Sequence, residues 1–176
     1  MTLIPQWQTA NIEPKRKFKF LLIFGDVPAW VVKSAGRPNV SVSEGAKHQY
    51  LSHEFKFPGR VTWNDIDVTL VDPIDPVMSL PMFQIIEDAG YKIPSGWNNA
   101  NQDWKKSLSK KTFSNKLGNI QIKVIDSEGK EVEIWTLHQA WVKTIDYSDV
   151  DYASEDLMEI KVTLSYDWAS ISIPQT

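Results

Sequence analysis

The sequence predicts a mainly β protein, an antiparallel β-sandwich or barrel with one flanking α-helix. Residues 157–168 alternate apolar and polar side chains almost without interruption, which is typical of a strand with one dry and one wet face. Several other segments alternate with the same period of two and are separated by turn residues. Only residues 79–90 show the apolar spacing of a helix.

The composition indicates one globular domain. The chain has 176 residues, 42% of them hydrophobic and 23% charged, and a net charge of -3 that gives no overall attraction to nucleic acid. Cysteine is absent, which excludes disulfides, thiol catalysis and cysteine-ligated zinc. No apolar run approaches the roughly 20 residues of a membrane helix, and residues 1–7 do not resemble a signal peptide. We expect a protein made and used in a cytoplasm unless it is exported within a particle.

The first third of the chain contains an N-terminal arm, a strand and a long hairpin arm. Residues 1–16 are polar and contain proline, so we expect an arm that precedes a single domain over 17–176. Residues 17–27 read as a strand that is apolar on both faces at its centre, which predicts burial on both sides. Residues 44–59 are polar and aromatic and predict an extended hairpin arm. The next strand is predicted over 60–71.

One helix is predicted after this strand. Its start lies at Asp75-Pro76 or at Ser79, and Pro81 favours the later start because proline suits a first turn. Gly90 is the natural end. The predicted buried stripe consists of Met82, Ile85, Ile86 and Ala89.

The second half of the chain begins with a polar segment over 92–113, which we interpret as a surface insertion. Its basic run at 105–111, near Trp97 and Trp104, either is solvated or binds an acidic partner or nucleic acid. A hairpin follows over 120–136 with its turn at Asp126 to Gly129.

The last predicted strand has two distinct faces. Its apolar side chains are Ile160, Val162, Leu164, Tyr166 and Trp168. Its polar side chains are Glu159, Lys161, Thr163, Ser165 and Asp167. Since the polar face mixes both signs of charge, a sheet of such strands can line a water-filled space.

Tryptophan is frequent, with eight residues in the chain. Trp63, Trp135 and Trp168 lie on predicted strands and are expected in the core. Trp97 and Trp104 lie in the insertion, where burial within one chain would be small. Together with the aromatic arm, they suggest a surface that a neighbouring molecule covers.

No recognisable chemical site appears in the sequence. His48 and His53 are five residues apart, which in one strand would place them on opposite faces. The acidic residues at 149–151 and 155–156 suggest a calcium loop, but Ala153 and Ser154 occupy positions that need a ligand and a glycine. Serine nucleophile motifs and phosphate-binding glycine loops are also missing. We therefore predict no catalytic residue, metal or cofactor, and an exposed acidic turn near residue 150.

The order of elements resembles that of a known family. A strand at 18–24 is followed by the segment FKFPGRVTWNDIDVTL at 55–70, a single helix, a hairpin that begins GNIQI at 118–122, the sequence YSDVD at 147–151 and a closing strand that ends YDW at 166–168. This order resembles the tail tube proteins of contractile-tailed, T4-like bacteriophages. The resemblance covers residues 18–168, and the insertion at 92–113 departs from the short pattern of the family.

The resemblance implies a structural virion protein without enzymatic activity. Such subunits form hexameric rings that stack into an inner tube for genome DNA, in contact with tail sheath and baseplate proteins. The tube would be assembled in the host cytoplasm and would not insert into a membrane. The polar face of the last strand, Glu159, Lys161, Thr163, Ser165 and Asp167, would line the channel. The arm would reach the next ring through His48, Tyr50, His53, Phe55 and Phe57.

Two alternatives remain open from the sequence. The first is a tube initiator at the baseplate, or the tube of a related injection machine, with the same fold. The second, from a different class, is a monomeric β-barrel that binds a small molecule or sugar.

Overall fold

The computed structural model describes residues 13–96, 100 and 102–174. Most of the predicted N-terminal arm and Trp97 therefore lie outside the described residues. The mainly β, antiparallel class is confirmed, although the described part contains two α-helices where the sequence predicted one.

The described residues form ten strands and two helices. The strands are β1 (Phe20–Ile23), β2 (Val32–Ala35), β3 (Asn39–Tyr50), β4 (His53–Asn64), β5 (Ile66–Val71), β6 (Ile120–Ile125), β7 (Glu131–His138), β8 (Trp141–Tyr147), β9 (Glu159–Ser165) and β10 (Trp168–Ser172). The helices are α1 (Ser79–Asp88) and α2 (Lys110–Leu117).

Two four-stranded sheets build the body. The first sheet has the order β1-β6-β7-β10 and the second has the order β2-β5-β9-β8. All neighbouring strands in both sheets are antiparallel. The remaining strands, β3 and β4, form a separate two-stranded ribbon.

The core is built from the alternating side chains of these sheets. Ile160, Val162 and Leu164 of β9 are fully buried, as predicted, and lie opposite buried residues of β5. Burying each such side chain contributes about 1.5–3 kcal/mol. The first sheet adds Leu22, Ile120, Ile122 and Leu137.

The predicted final strand is divided between the two sheets. β9 ends at Ser165, and the chain passes through Tyr166 and Asp167 into β10 of the first sheet. Tyr166 is buried as predicted, but the core position of Trp168 is wrong, because that side chain is 48% exposed. The change of sheet reverses the alternation, so that Ala169 is the buried residue at the start of β10.

The strand predicted over 60–71 is also divided. Asp65 separates β4 of the ribbon from β5 of the second sheet. The predicted first strand is shorter than 17–27, and its burial on both sides is wrong. Leu22 is buried, whereas Leu21 and Ile23 are both 42% exposed, because no other described element covers the outer face of β1.

The predicted helix is confirmed, with its later start at Ser79 and its end before Gly90. Met82, Ile85 and Ala89 are buried, whereas Ile86 is only partly buried.

The second helix, α2, was not predicted, because its only two apolar residues, Phe113 and Leu117, lie among polar ones. Both are buried, so the segment around 110–117 contributes to the core. The backbone N–H of Ser109 donates to the Ala89 carbonyl at 3.1 Å, which joins the start of α2 to the end of α1.

Candidate assembly surfaces

The ribbon of β3 and β4 is the most exposed element of the described chain. Each strand has 12 residues, which corresponds to a length of roughly 40 Å at 3.3 Å per residue. Almost every side chain in it is exposed. The predicted arm over 44–59 corresponds to the distal part of this ribbon and its turn at Leu51–Ser52.

One face of the distal ribbon is aromatic. His48 lies opposite Phe55 and Tyr50 lies opposite His53, so these four side chains share a face. Phe57 follows Phe55 by two residues and continues that face. The rings of His53 and Phe55 meet edge to face, with centroids 4.7 Å apart.

This arrangement corrects the prediction for the two histidines. They were expected on opposite faces of one strand, but the turn between them places His48 on β3 and His53 on β4. The pairing register then brings both to the same face. Within the described residues no group of three or more histidine, aspartate or glutamate side chains is arranged to hold a metal ion.

The opposite face of the distal ribbon is charged. Lys47 forms ion pairs with Glu44 at 3.0 Å and with Glu54 at 3.7 Å, and Lys56 contacts Glu44 at 3.5 Å. The ribbon is therefore amphipathic, yet its aromatic face stays exposed. A two-stranded ribbon is at best marginally stable alone, and an exposed aromatic stripe of this kind is uncommon on the surface of a single chain.

The base of the ribbon is joined firmly to the body. Trp63 packs against the core and lies 6.0 Å from Tyr166, measured between ring centroids. Ser43 accepts a hydrogen bond of 2.9 Å from the backbone N–H of Arg60 through its hydroxyl oxygen. A Cβ atom at Gly59 would lie 2.5 Å from that oxygen and 2.9 Å from the Ser43 carbonyl oxygen, so a side chain at this position would force the two strands to shift.

The outer face of the second sheet is polar across its width. Glu159, Lys161, Thr163 and Ser165 of β9 all point away from the core, as their alternation predicts. Asp167 lies beyond the end of β9 and forms an ion pair of 2.5 Å with Lys110. This ion pair connects the end of the second sheet to α2.

Neighbouring strands add charges of both signs to this outer face. Lys161 lies opposite Thr69 of β5 on one side and Asp146 of β8 on the other. A hydrogen bond to Glu159 raises the pKa of Lys33, and a hydrogen bond from Lys143, at 2.6 Å, lowers the pKa of Asp65. Carboxylates and ammonium groups therefore alternate over this face without one sign dominating.

A buried carboxylate ties the start of the described chain to the first sheet, and sequence reasoning missed it. Glu133 accepts hydrogen bonds from Lys15 and from the indole N–H of Trp135, and Arg37 lies 3.3 Å away. Burial opposes ionisation of Glu133, but these partners outweigh it and hold its pKa below the ordinary value. The signal in the sequence was a glutamate that alternates in phase with Trp135 and Leu137.

Each sheet ends in two edge strands that run in opposite directions. The second sheet has β2 and β8 at its edges, and the first has β1 and β10. Because each sheet consists of four antiparallel strands, its two edge strands run in opposite directions, and a second copy in the same orientation can continue either sheet with antiparallel pairing. Unpaired edges of this kind favour association between copies.

None of the helices in the described part of the chain has the length and apolar character needed to span a membrane. The chain matches no known family model, and no curated protein sequence matches it.

Solved structures with similar folds come from contractile injection systems. A chain of the anti-feeding prophage cap, a tube-terminating cap, has a TM-score of 0.65 and 18% identity, with 98% of this chain and 100% of that chain covered. A chain from the sheath-tube complex of the extracellular contractile injection system PVC, in its extended state, has a TM-score of 0.63 and 16% identity, with 92% and 93% covered. A chain from the PVC sheath/tube terminator has a TM-score of 0.62 and 17% identity, with 93% and 99% covered.

The match extends over nearly the full length of both chains in each case. The present chain therefore has the fold found in tube and tube-terminator assemblies of contractile injection systems. The predicted resemblance to contractile-tail tube proteins is confirmed at the level of the fold.

Proposed function

We propose that this chain is a structural subunit of the inner tube of a contractile tail or injection machine. Six copies form a ring, and rings stack into a tube that conducts genome DNA in a phage tail. The subunit works with sheath and baseplate proteins, is assembled in the host cytoplasm and catalyses no reaction. The observation that carries this proposal is the pair of oppositely directed edges on the second sheet, β2 and β8.

Ring closure follows from these edges. When β8 of one copy lies beside β2 of the next in the same orientation, the two strands run antiparallel and their backbone groups can pair. Repetition around an axis closes the sheet and leaves no edge exposed. Six copies would make a barrel of about 24 strands, four from each copy.

The polar outer face of the second sheet is proposed to line the channel. It carries Lys161, Thr163, Asp67 and Asp146 and no large apolar side chain at its centre. Mixed charges keep such a channel hydrated and do not retain phosphate groups by counterion release. The core side of the same sheet remains filled with apolar side chains.

The ribbon is proposed to reach an adjacent ring. Its aromatic face, formed by His48, Tyr50, His53, Phe55 and Phe57, would be covered by a subunit of that ring. This cover supplies the burial that the ribbon lacks in one chain.

A second candidate is a subunit at one end of the tube, either its terminator or its initiator at the baseplate. The full-length match to a tube-terminating cap favours the terminator. A terminator would form rings but would not extend into long tubes. The remaining alternative is a monomeric β-barrel that binds a small molecule or sugar, which requires an open interior. The space between the sheets is instead filled by side chains such as Val68, Ile122 and Leu164, which disfavours this alternative.

The test is the assembly state of the purified full chain. Light scattering after size exclusion gives the mass, and negative-stain images show the shape. Sixfold rings with a central channel are expected for all tube roles, and long stacked tubes distinguish the tube subunit from a terminator. A particle with the mass of one chain at all concentrations would overturn the proposal.

A further inference from the structure

A basic groove runs between β1 and β2, the edge strands of the two sheets. It has a volume of about 770 Å³ and a floor that includes Ile122 and Val124. Its cationic side chains are Lys15, Arg16, Lys17, Lys19, Lys33 and Arg37.

This groove has more positive charge than its own chain neutralises. Four of its six cations, Lys15, Lys19, Lys33 and Arg37, form ion pairs with three carboxylates, those of Glu13, Glu133 and Glu159. Within the described residues, the side chains of Arg16 and Lys17 form no ion pair. Phe18 lies beside them with 76% of its surface exposed. The groove therefore suits a segment that is both acidic and aromatic.

Such a segment lies at the other edge of the second sheet. The loop over 148–158 joins β8 to β9, and we call residues 148–157 the acidic loop. Its carboxylates belong to Asp149, Asp151, Glu155 and Asp156, and all four residues are exposed. Tyr152 is fully exposed in the middle of the loop, and Val150 beside it is 81% exposed.

The acidic loop has a defined shape. Ser148 and Glu159 close its base through a backbone hydrogen bond of 3.0 Å, and the Glu159 N–H donates to the Ser148 hydroxyl oxygen at 3.1 Å. The Asp151 carboxylate accepts a hydrogen bond of 3.0 Å from the backbone N–H of Ala153. Asp149 and Glu155 form no ion pair with other described residues, so their charges remain available to a partner.

The groove and the loop lie at the same end of the second sheet, the groove along β2 at one edge and the loop beyond β8 and β9 toward the other, and Asp156 of the loop lies within electrostatic reach of Lys33 of the same chain. Val32 of β2 pairs with Leu70, next to Val71, which pairs with Glu159. Tyr147, the last residue of β8, pairs with Ile160. Rotation about a ring axis keeps this end of the second sheet on the same side of the ring in every copy. The acidic loop on the β8 side of one copy thus arrives at the groove on the β2 side of the next.

From this placement and charge complementarity, we infer that the acidic loop of each copy occupies the basic groove of the neighbouring copy within a ring. The inference rests on the ring assembly proposed above. Asp149 and Glu155 pair with Arg16 and Lys17 of the neighbour, and Tyr152 packs on Phe18 and the guanidinium of Arg16. Exposed ion pairs alone contribute little binding free energy. Tyr152, which this contact buries, therefore contributes most of it, and the charges determine which partner is bound.

Charge reversal on each side tests the contact. The loop variant is Asp149→Lys with Glu155→Lys, and the groove variant is Arg16→Glu with Lys17→Glu. All four positions are exposed, so both variants should keep the melting temperature of the folded chain. Each variant alone places like charges at every interface. We expect ring formation to need protein concentrations about tenfold or more above those of the wild type, as measured by native mass spectrometry.

Mixing the two variants identifies the contact as one between copies. A positive loop then meets a negative groove and a negative loop meets a positive groove, so equal amounts should restore rings in which the variants alternate. A chain that carries all four substitutions should also form rings. The control, Glu128→Lys with Glu131→Lys, makes the same charge change at the exposed β6–β7 turn and should assemble like the wild type.

Results that contradict the loop–groove contact can be distinguished from results that contradict the proposed ring assembly. Rings restored by the fourfold chain but not by the mixture would place the contact within one chain and overturn the inference. Rings unaffected by both variants would overturn it as well, while leaving the proposed function intact. A wild-type chain that forms no ring would overturn the proposed function itself.

Discussion

The hydroxyl of Thr163 on β9 donates a hydrogen bond of 2.8 Å to the carboxylate of Asp67, the residue directly opposite on the neighbouring strand β5. Both residues lie on the outer face of the second sheet, the side opposite the core. The bond joins two polar side chains that a lone domain would leave to bulk water. It belongs to the face that we propose as the channel wall, where every subunit of the ring would contribute one such hydrogen bond.

Removing carboxylates from this face should make the channel retain DNA. In the variant Asp67→Asn with Asp146→Asn, the amide oxygen at position 67 can still accept from Thr163, so rings should form normally. Each copy loses two negative charges, and Lys161 and Lys143 remain. Assembled tubes should then hold short DNA duplexes at low salt and release them at high salt, as measured by fluorescence anisotropy.

The matched control is Glu128→Gln with Glu131→Gln, which makes the same charge change at the β6–β7 turn. Equal DNA retention by both variants would show that the outer face of the second sheet does not line the channel.

The aromatic face of the ribbon should be required for stacking and not for ring formation. Replacing Phe55 and Phe57 by serine removes exposed rings and should leave the free energy of unfolding within about 0.5 kcal/mol of the wild type. Electron micrographs should show single rings in place of long tubes. The control replaces Lys47 and Lys56 by serine on the charged face and should still give tubes. Tubes of normal length from the phenylalanine variant would contradict an inter-ring role for the arm.

Glu133 should stabilise the fold only while it is ionised. Its pKa lies below the ordinary value of 4.5, so the ionised form is favoured in the folded chain. The stabilisation is therefore fully present above pH 4.5 and is lost as the pH falls through the lower, folded-state pKa.

Glu133→Gln should consequently reduce the free energy of unfolding by about 1–3 kcal/mol at pH 7. Urea unfolding at a series of pH values should show the difference from the wild type shrinking as the solution becomes more acidic than pH 4.5. Glu131→Gln, at an exposed position two residues away, serves as the control and should change little. A difference that stays constant with pH would argue against the ionised carboxylate as the cause.

Gly90 should tolerate no side chain. Its φ is +120°, and a Cβ atom there would lie 2.5 Å from the carbonyl oxygen of Ser107. Gly90→Ala is expected to lower the free energy of unfolding by about 2 kcal/mol or more. A positive φ disfavours residues that have a side chain, and the Cβ atom would clash with the Ser107 carbonyl oxygen. Gly129 also has a positive φ, +83°, but lies in open space. Gly129→Ala should cost about 1 kcal/mol, and thermal unfolding that ranks the two in the reverse order would contradict this account.

Much of the fold could be predicted from local patterns. The alternation of Ile160, Val162 and Leu164 identified a strand and its buried face, and both are confirmed. The apolar spacing around Met82 and Ile85 identified α1, and Gly90 identified its end. These features depend on the geometry of one element, which a few neighbouring residues encode.

The candidate surfaces could be predicted in residue type but not in arrangement. The aromatic and histidine residues of the arm were recognised, whereas their common face was not. His48 and His53 share that face only because the chain turns at Leu51 and the two strands pair in a particular register. Likewise α2 has too few apolar residues to be recognised alone, and it forms where α1 and the sheets offer a surface for Phe113 and Leu117.

The sequence by itself determined which side of β9 is buried, where the clearest helix ends and that no cysteine chemistry is available. Only the tertiary structure decided which sheet each strand joins. It ended β4 at Asn64, and it placed Trp168 outside the core by moving β10 to the first sheet. It also brought Lys15 and Arg37 to Glu133 across 118 and 96 residues of chain. Alternation is a property of consecutive residues, whereas sheet membership and buried ion pairs depend on contacts between distant segments, which no local pattern records.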